Sequence, residues 1–266
     1  MIDPILESCR LAYGFAPTPG VDVYLDEPDT ITGGPDKIDL AKVGVTSRGI
    51  MVTIRGTLHP ELGNWQHDED WLEDFEAIPT HVTGVPGVVH SGFWEAADAL
   101  IDGISQALRD RRIRSMSLLP LWVVGHSKGG AVAQMIAPLV PGVGNGSVNV
   151  RTFGAPRVGD LRYCAWLDAK DWISSVRYEY GHDIVPHLPM RWLNAYRHPG
   201  ELRYMTDGGQ FLADTKMLAM RRALGIRATL LGLNWRSFVV EHEVAVGSGY
   251  SRMRFESLAP APQSAP

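Results

Sequence analysis

The chain has 266 residues, 45% hydrophobic and 21% charged, which is enough length and apolar content for one large α/β core. A formal net charge of −5, with no basic stripe carrying interleaved aromatics, argues against nucleic acid or an anionic membrane surface as the main partner. Two cysteines, Cys9 and Cys164, are too few for a disulfide scaffold and could form one bridge at most. The start, MIDPILESCRLAYGF, shows no basic stretch followed by a long apolar run, so no signal peptide is visible. Ala223–Leu233 is too short and too interrupted to be a transmembrane segment. These features predict a cytoplasmic protein, or a leaderless or processed secreted one.

In chain order, GIMVTIRG (Gly49–Gly56) is a β-branched apolar run bounded by glycines and reads as a buried strand. FWEAADALIDGISQALRDRR has apolar positions at helical spacing and ends in arginines suited to a helix C-terminus. LPLWVVG is the next strand and KGGAVAQMIAPLV the next helix. VNVRTFG, a helix near Leu161–Lys170, and SVRYEYG continue the alternation. Strands alternating with helices predict a mostly parallel sheet flanked by helices, with its site along the C-terminal strand ends. Thr215–Val246 reads as helical pieces interrupted by GLNW. A single domain is expected over residues 1–255, followed by a disordered Pro/Ala-rich tail over 256–266.

Gly125-His126-Ser127-Lys128-Gly129 fits the pattern G-x-S-x-G. A sharp strand-to-helix turn strains the serine, and the flanking glycines let neighbouring backbone approach it. The helix that follows aims amide N–H groups at the same spot. The pattern alone is weak in a chain with 28 glycines, and an ordinary glycine-rich turn would look the same. The strand before it and the helix after it supply the context that a nucleophile needs.

A serine nucleophile requires a base and an orienting acid, which follow it in that order of acid then histidine in α/β-hydrolases. RYEYGHDIVPHLP offers Asp183 at the end of the fourth strand, where Pro186 and Pro189 hold the loop extended. The plainer role for Asp183 is a turn or cap. Of nine histidines, His126 adjoins the serine but points elsewhere on the turn. His59, His67, His81 and His90 precede the serine, and His182 and His187 crowd the acid. His242 and His198 remain, and the order of parts favours His242.

Five segments, VTIRGT, VHSGFWEAA, VVGHSKGGAVA, TFGAPRVGD and DIVPHLP, together resemble the class 3 lipase family, the α/β-hydrolases typified by fungal triacylglycerol lipases. The resemblance runs from Val52 to Tyr250 and implies an α/β-hydrolase fold with a lid segment. It gives Asp183 the acid role and assigns the oxyanion hole to the amides of Thr57 and Lys128. Asp183 lies 56 residues after Ser127 and His242 a further 59 on, spacings like the family's, so the resemblance also selects His242 as base. The lid would occupy about 58–78, with Trp65, Trp71, Leu72 and Phe75 on its apolar side. Asp68, Glu69, Asp70, Glu73, Asp74 and Glu76 fit neither an EF-hand order nor a zinc site and read as a solvated face, so no metal and no cofactor is expected.

The expected activity is carboxylic-ester hydrolysis through an acyl-enzyme, as in a lipase or esterase. A phospholipase A1 or thioesterase on the same scaffold is one alternative. A catalytically silent binding module is another. The expected partners are a small-molecule or lipid ester and, transiently, a lipid interface. Lys128 stands where the family commonly has leucine. It cannot face Ser127 as a base from the adjacent position, and a cation there opposes the helix dipole. It is expected to meet the closed lid or a polar headgroup.

Overall fold

The computed structural model describes residues 2–57, 78–115, 119–140, 147–189, 195–206, 211–212 and 242–253. Its elements in chain order are α1 (Pro4–Ala12), β1 (Asp29–Gly33), β2 (Asp39–Thr46), β3 (Gly49–Ile54), β4 (Pro79–Thr80), β5 (Val89–His90), α2 (Ser91–Ser115), β6 (Leu121–His126), α3 (Lys128–Ile136), β7 (Val148–Phe153), α4 (Leu161–Asp168), β8 (Ile173–Tyr180), β9 (Glu201–Met205) and β10 (Phe211–Leu212). The main sheet is ordered β1-β2-β3-β6-β7-β8-β9-β10. It is parallel from β3 to β9 and antiparallel at both margins. β4 and β5 form a separate two-stranded ribbon.

Two-residue alternation explains why apolar residues occupy both faces of the central strands. In β3, Ile50, Val52 and Ile54 face one apolar cluster, and Met51 faces the other. In β6, Leu121 and Val123 share the first cluster while Trp122 and Val124 share the second. A strand covered on both faces has no polar side to show. The first face carries α2 and α3, with Phe93, Ala97, Leu100, Ile104, Val132 and Ile136 in the cluster. The second carries α1 and the segment around Tyr250.

The alternation expected from β3 to β8 is present, and it gives the α/β-hydrolase architecture anticipated from sequence. The helix expected through Val140 ends at Ile136, after which the Leu139 and Val140 amides both bond to the Ile136 carbonyl in a looser turn ahead of Pro141. Of the lid expected over 58–78, only Ile78 lies among the described residues, and the helical pieces expected over 215–241 and the tail over 256–266 lie outside them. Cys9 and Cys164 are both buried and free thiols rather than a bridge. Burial pushes the Cys164 thiol up to about 12, so it is unreactive near neutral pH. Among the described residues, no helix is long and apolar enough to cross a membrane.

The N-terminal helix was not anticipated. Asp3 caps it, accepting from the Ile5 amide at 2.8 Å, with Pro4 in the first turn. Glu7 is fully buried and accepts from Arg10 at 2.6 Å, from the Thr18 amide at 2.7 Å and from the Thr18 hydroxyl at 3.0 Å. This closes residues 3–18 into a compact unit whose Ile5, Leu6 and Cys9 pack with Met51, Trp122 and Val124. Removing one partner leaves a buried guanidinium uncompensated. Glu7→Ala should therefore lower unfolding stability by about 3 kcal/mol, read as a shift of the urea midpoint with an unchanged slope.

Candidate active site

The serine sits at the junction of β6 and α3, in backbone that an L-residue rarely adopts: φ is 56° and ψ is −134°. Its amide donates to the Phe153 carbonyl of β7 at 2.9 Å, and its carbonyl accepts from Gly130 at 2.9 Å to begin the helix. The glycines around it are steric requirements. A Cβ on Gly125 would lie 2.1 Å from the Gly129 carbonyl oxygen, and one on Gly129 would lie 2.3 Å from the Ile54 oxygen. The turn thus drives β6, α3 and β3 into close backbone contact. Ser127 is buried, and its Oγ has no hydrogen-bond partner among the described residues.

Asp183 and His242 come together 59 residues apart in sequence, with His242 Nδ1 at 2.9 Å from Asp183 Oδ2. A carboxylate only accepts, so Nδ1 carries the proton and Nε2 is the basic nitrogen. Asp183 Oδ2 also accepts from the Tyr250 hydroxyl at 2.6 Å, and Oδ1 accepts from the Val185 amide at 3.0 Å. Burial pushes the Asp183 carboxyl well above the ordinary carboxylate range, and the Tyr250 and Val185 donors oppose that shift by favouring the charged form. Burial and the nearby Asp183 charge hold the Tyr250 phenol well above its usual value, so it remains a donor.

Gly154 joins these groups to the serine's strand. It directly follows Phe153, which binds the Ser127 amide, and its φ is +59°. A Cβ there would lie 2.7 Å from Asp183 Oδ2 and 2.9 Å from His242 Nδ1. A Cβ on Gly56 would lie 3.0 Å from Ser127 Cβ, so the chain just after β3 approaches the serine closely. Of the two residues expected to supply oxyanion donors, Lys128 directly follows Ser127 at the start of α3 and Thr57 directly follows Gly56.

The Lys128 ammonium donates to Asp39 Oδ1 at 2.9 Å. Among the described residues its partner is this carboxylate at the start of β2, and the acidic run at 68–76 lies outside them. Asp39 offsets the cation that the dipole of α3 disfavours in its first turn. His198, the other candidate base, places Nε2 at 2.6 Å from the Pro186 carbonyl and not on Asp183. Burial holds its imidazole well below the usual value, so it is a neutral brace for the acid's loop.

Sequence reasoning missed Tyr250, Arg157 and Tyr13. Arg157 Nη1 donates to the carbonyls of His187 and of Pro189, the latter at 2.6 Å, and its amide bonds to the Leu188 carbonyl at 2.7 Å, which clamps the loop after Asp183. TFGAPRVGD was singled out as a motif, and an arginine inside it beside an acid-bearing loop was the available signal. Tyr250 and Tyr13 lie in stretches with no motif, so no local pattern marks them.

The family model for lipase (class 3) matches residues 51–192, over half of the chain. The chain is 27% identical over 173 residues to a secreted mono- and diacylglycerol lipase A from Penicillium cyclopium, covering 64% of this chain and 52% of that protein. It is 35% identical over 146 residues to lipase A from Sodiomyces alcalophilus, covering 49% and 32%. Among solved structures, a Rhizomucor miehei triacylglyceride lipase superposes with a TM-score of 0.64 at 22% identity, covering 78% of this chain and 80% of that one. The chain spans about half or less of the length of the curated relatives named here.

Gly154→Ala tests the packing argument. The left-handed backbone alone costs about 1–2 kcal/mol for an alanine, and the added methyl must also displace Asp183 or His242. The thermal midpoint should fall, and the low-field Nδ1 proton resonance of His242 should weaken or vanish. A variant with both unchanged contradicts the geometry.

Proposed function

The chain belongs to the class 3 lipase family, and on that premise we propose that it is a serine carboxylic-ester hydrolase of lipase or esterase type, acting on acylglycerol-like lipid esters. The observation that carries the reading is the buried His242–Asp183 pair beside a serine held at φ 56° on a strand-to-helix turn. Relatives named as mono- and diacylglycerol lipases favour glycerol esters as the substrate class. Several of those relatives are named as secreted, which favours a processed secreted protein over a cytoplasmic one.

In this reading Ser127 Oγ attacks the ester carbonyl as His242 Nε2 removes its proton. The resulting imidazolium is stabilised by Asp183 through Nδ1–H. The tetrahedral oxyanion is held by the Thr57 and Lys128 amides, with the α3 dipole aimed at the same point. His242 then protonates the departing alcohol, leaving an acyl group on Ser127. A water molecule repeats the sequence with His242 as base, releasing the acid and restoring the serine. Asp183 must stay ionised throughout, because a protonated carboxyl no longer orients and charges the imidazole.

A chain-length panel of p-nitrophenyl esters and of mono-, di- and triacylglycerols should show hydrolysis that Ser127→Ala lowers by about 10³-fold or more. No hydrolysis of any ester, or full activity in Ser127→Ala, would defeat the proposal. Tyr250→Phe removes a donor that favours charged Asp183, so the carboxyl pKa rises further and protonation begins at higher pH. The acid limb of kcat/KM should consequently move to higher pH, with activity falling most on that side. A limb that stays put or moves to lower pH contradicts this electrostatic account.

A further inference from the structure

We propose that His126, the residue before the nucleophile, is a positioning residue that fixes the backbone of the base-bearing His242 under the control of Tyr13. The inference rests on the ester-hydrolase reading above. His126 Nε2 lies 2.6 Å from the His242 carbonyl oxygen, and the contact is buried. His126 Nδ1 lies 2.9 Å from the Tyr13 hydroxyl. A carbonyl can only accept, so Nε2 carries the hydrogen, Nδ1 of the neutral ring is an acceptor, and Tyr13 donates to it. Burial keeps the Tyr13 phenol protonated far beyond neutral pH, which preserves that donor.

His242 is thereby held at two points. Asp183 grips its ring through Nδ1 at 2.9 Å, and His126 grips its carbonyl. The rings of His126 and His242 also pack with centroids 4.5 Å apart at 36°. Because His126 and Ser127 are consecutive, any movement of the turn carries both the nucleophile and the anchor of its base. The Tyr13 hydroxyl enters through the gap at Gly56, where a Cβ would lie 2.1 Å from its oxygen and 2.7 Å from the His126 carbonyl oxygen. The short unit closed by Glu7, Arg10 and Thr18 therefore ends on the hydroxyl that sets the His126 tautomer.

The role is geometric, so it should act on the chemical step and not on substrate binding. His126→Phe keeps a ring but removes the donor to His242. It should lower kcat by roughly 10- to 100-fold with KM within about twofold, and slow fluorophosphonate labelling of Ser127 in proportion. His126→Gln places an amide donor near the Nε2 position and should recover most of that loss. Tyr13→Phe should lower kcat by about three- to tenfold. In ¹⁵N NMR of the wild-type chain at neutral pH, the His126 ring should be protonated at Nε2 with Nδ1 as a hydrogen-bond acceptor.

Labelling of wild type and of His126→Phe at equal rates overturns this inference and leaves the ester-hydrolase reading intact. A parallel loss in His126→Phe and His126→Gln, or a His126 ring protonated at Nδ1, also overturns it. The NMR measurement decides the matter even if His126→Phe fails to fold. A wild-type chain that never labels at Ser127 overturns the underlying reading, and this inference falls with it.

Discussion

The structure depends on the strained turn at Ser127. A residue with a side chain is held at φ 56° between a buried parallel strand and a helix, a conformation that costs of order 1–3 kcal/mol and persists only where the surroundings over-determine it. Here the surroundings are backbone. Gly125, Gly129 and Gly56 each bring another chain segment to a distance that a Cβ would forbid, and the Ser127 amide is tied to β7. The sheet core supplies the burial that keeps the turn closed. The consequence is a buried serine at the junction of β6 and α3, at the first amides of the helix.

The second constraint is electrostatic. Asp183 is buried beside a histidine, and burial raises its carboxyl well above the ordinary carboxylate range, against the charged form. Three donors reach its two oxygens: His242 Nδ1, the Tyr250 hydroxyl and the Val185 amide. Tyr250 in turn packs against His126, Phe153, Tyr180 and His242. The charge is therefore supported by groups whose own positions are fixed by aromatic packing. Lys128 and Asp39 show the same principle nearer the surface, an acid offsetting a cation where the helix dipole disfavours it.

Much of this was legible in the sequence, for definable reasons. The buried strands β3, β6 and β7 announce themselves as short apolar runs, and the helices between them by their period. Ser127 and Asp183 stand at strand ends that the alternation locates, and His242 follows from the order of parts and from family resemblance. What escaped were contacts made by residues with no local pattern. α1 begins at a proline and carries a buried Glu7 and Arg10, which composition reads as surface. Tyr250 and Tyr13 matter only because the fold delivers their hydroxyls to Asp183 and His126. The ion pair of Lys128 with Asp39 was likewise unmarked, since β2 supplies the carboxylate from a stretch distant in sequence. The acidic run at 68–76 that suggested a lid partner lies outside the described residues.

The account's central claim is a covalent acyl-enzyme on Ser127 formed with His242 as base. Acid quenching of the chain during turnover of a slowly deacylating p-nitrophenyl ester, followed by intact-mass and peptide mass spectrometry, tests it most directly. The account predicts one acyl group per chain, located on Ser127, and its disappearance when His242 is replaced by alanine. Turnover with no adduct, an adduct on another residue, or an undiminished adduct in the His242 variant would contradict it.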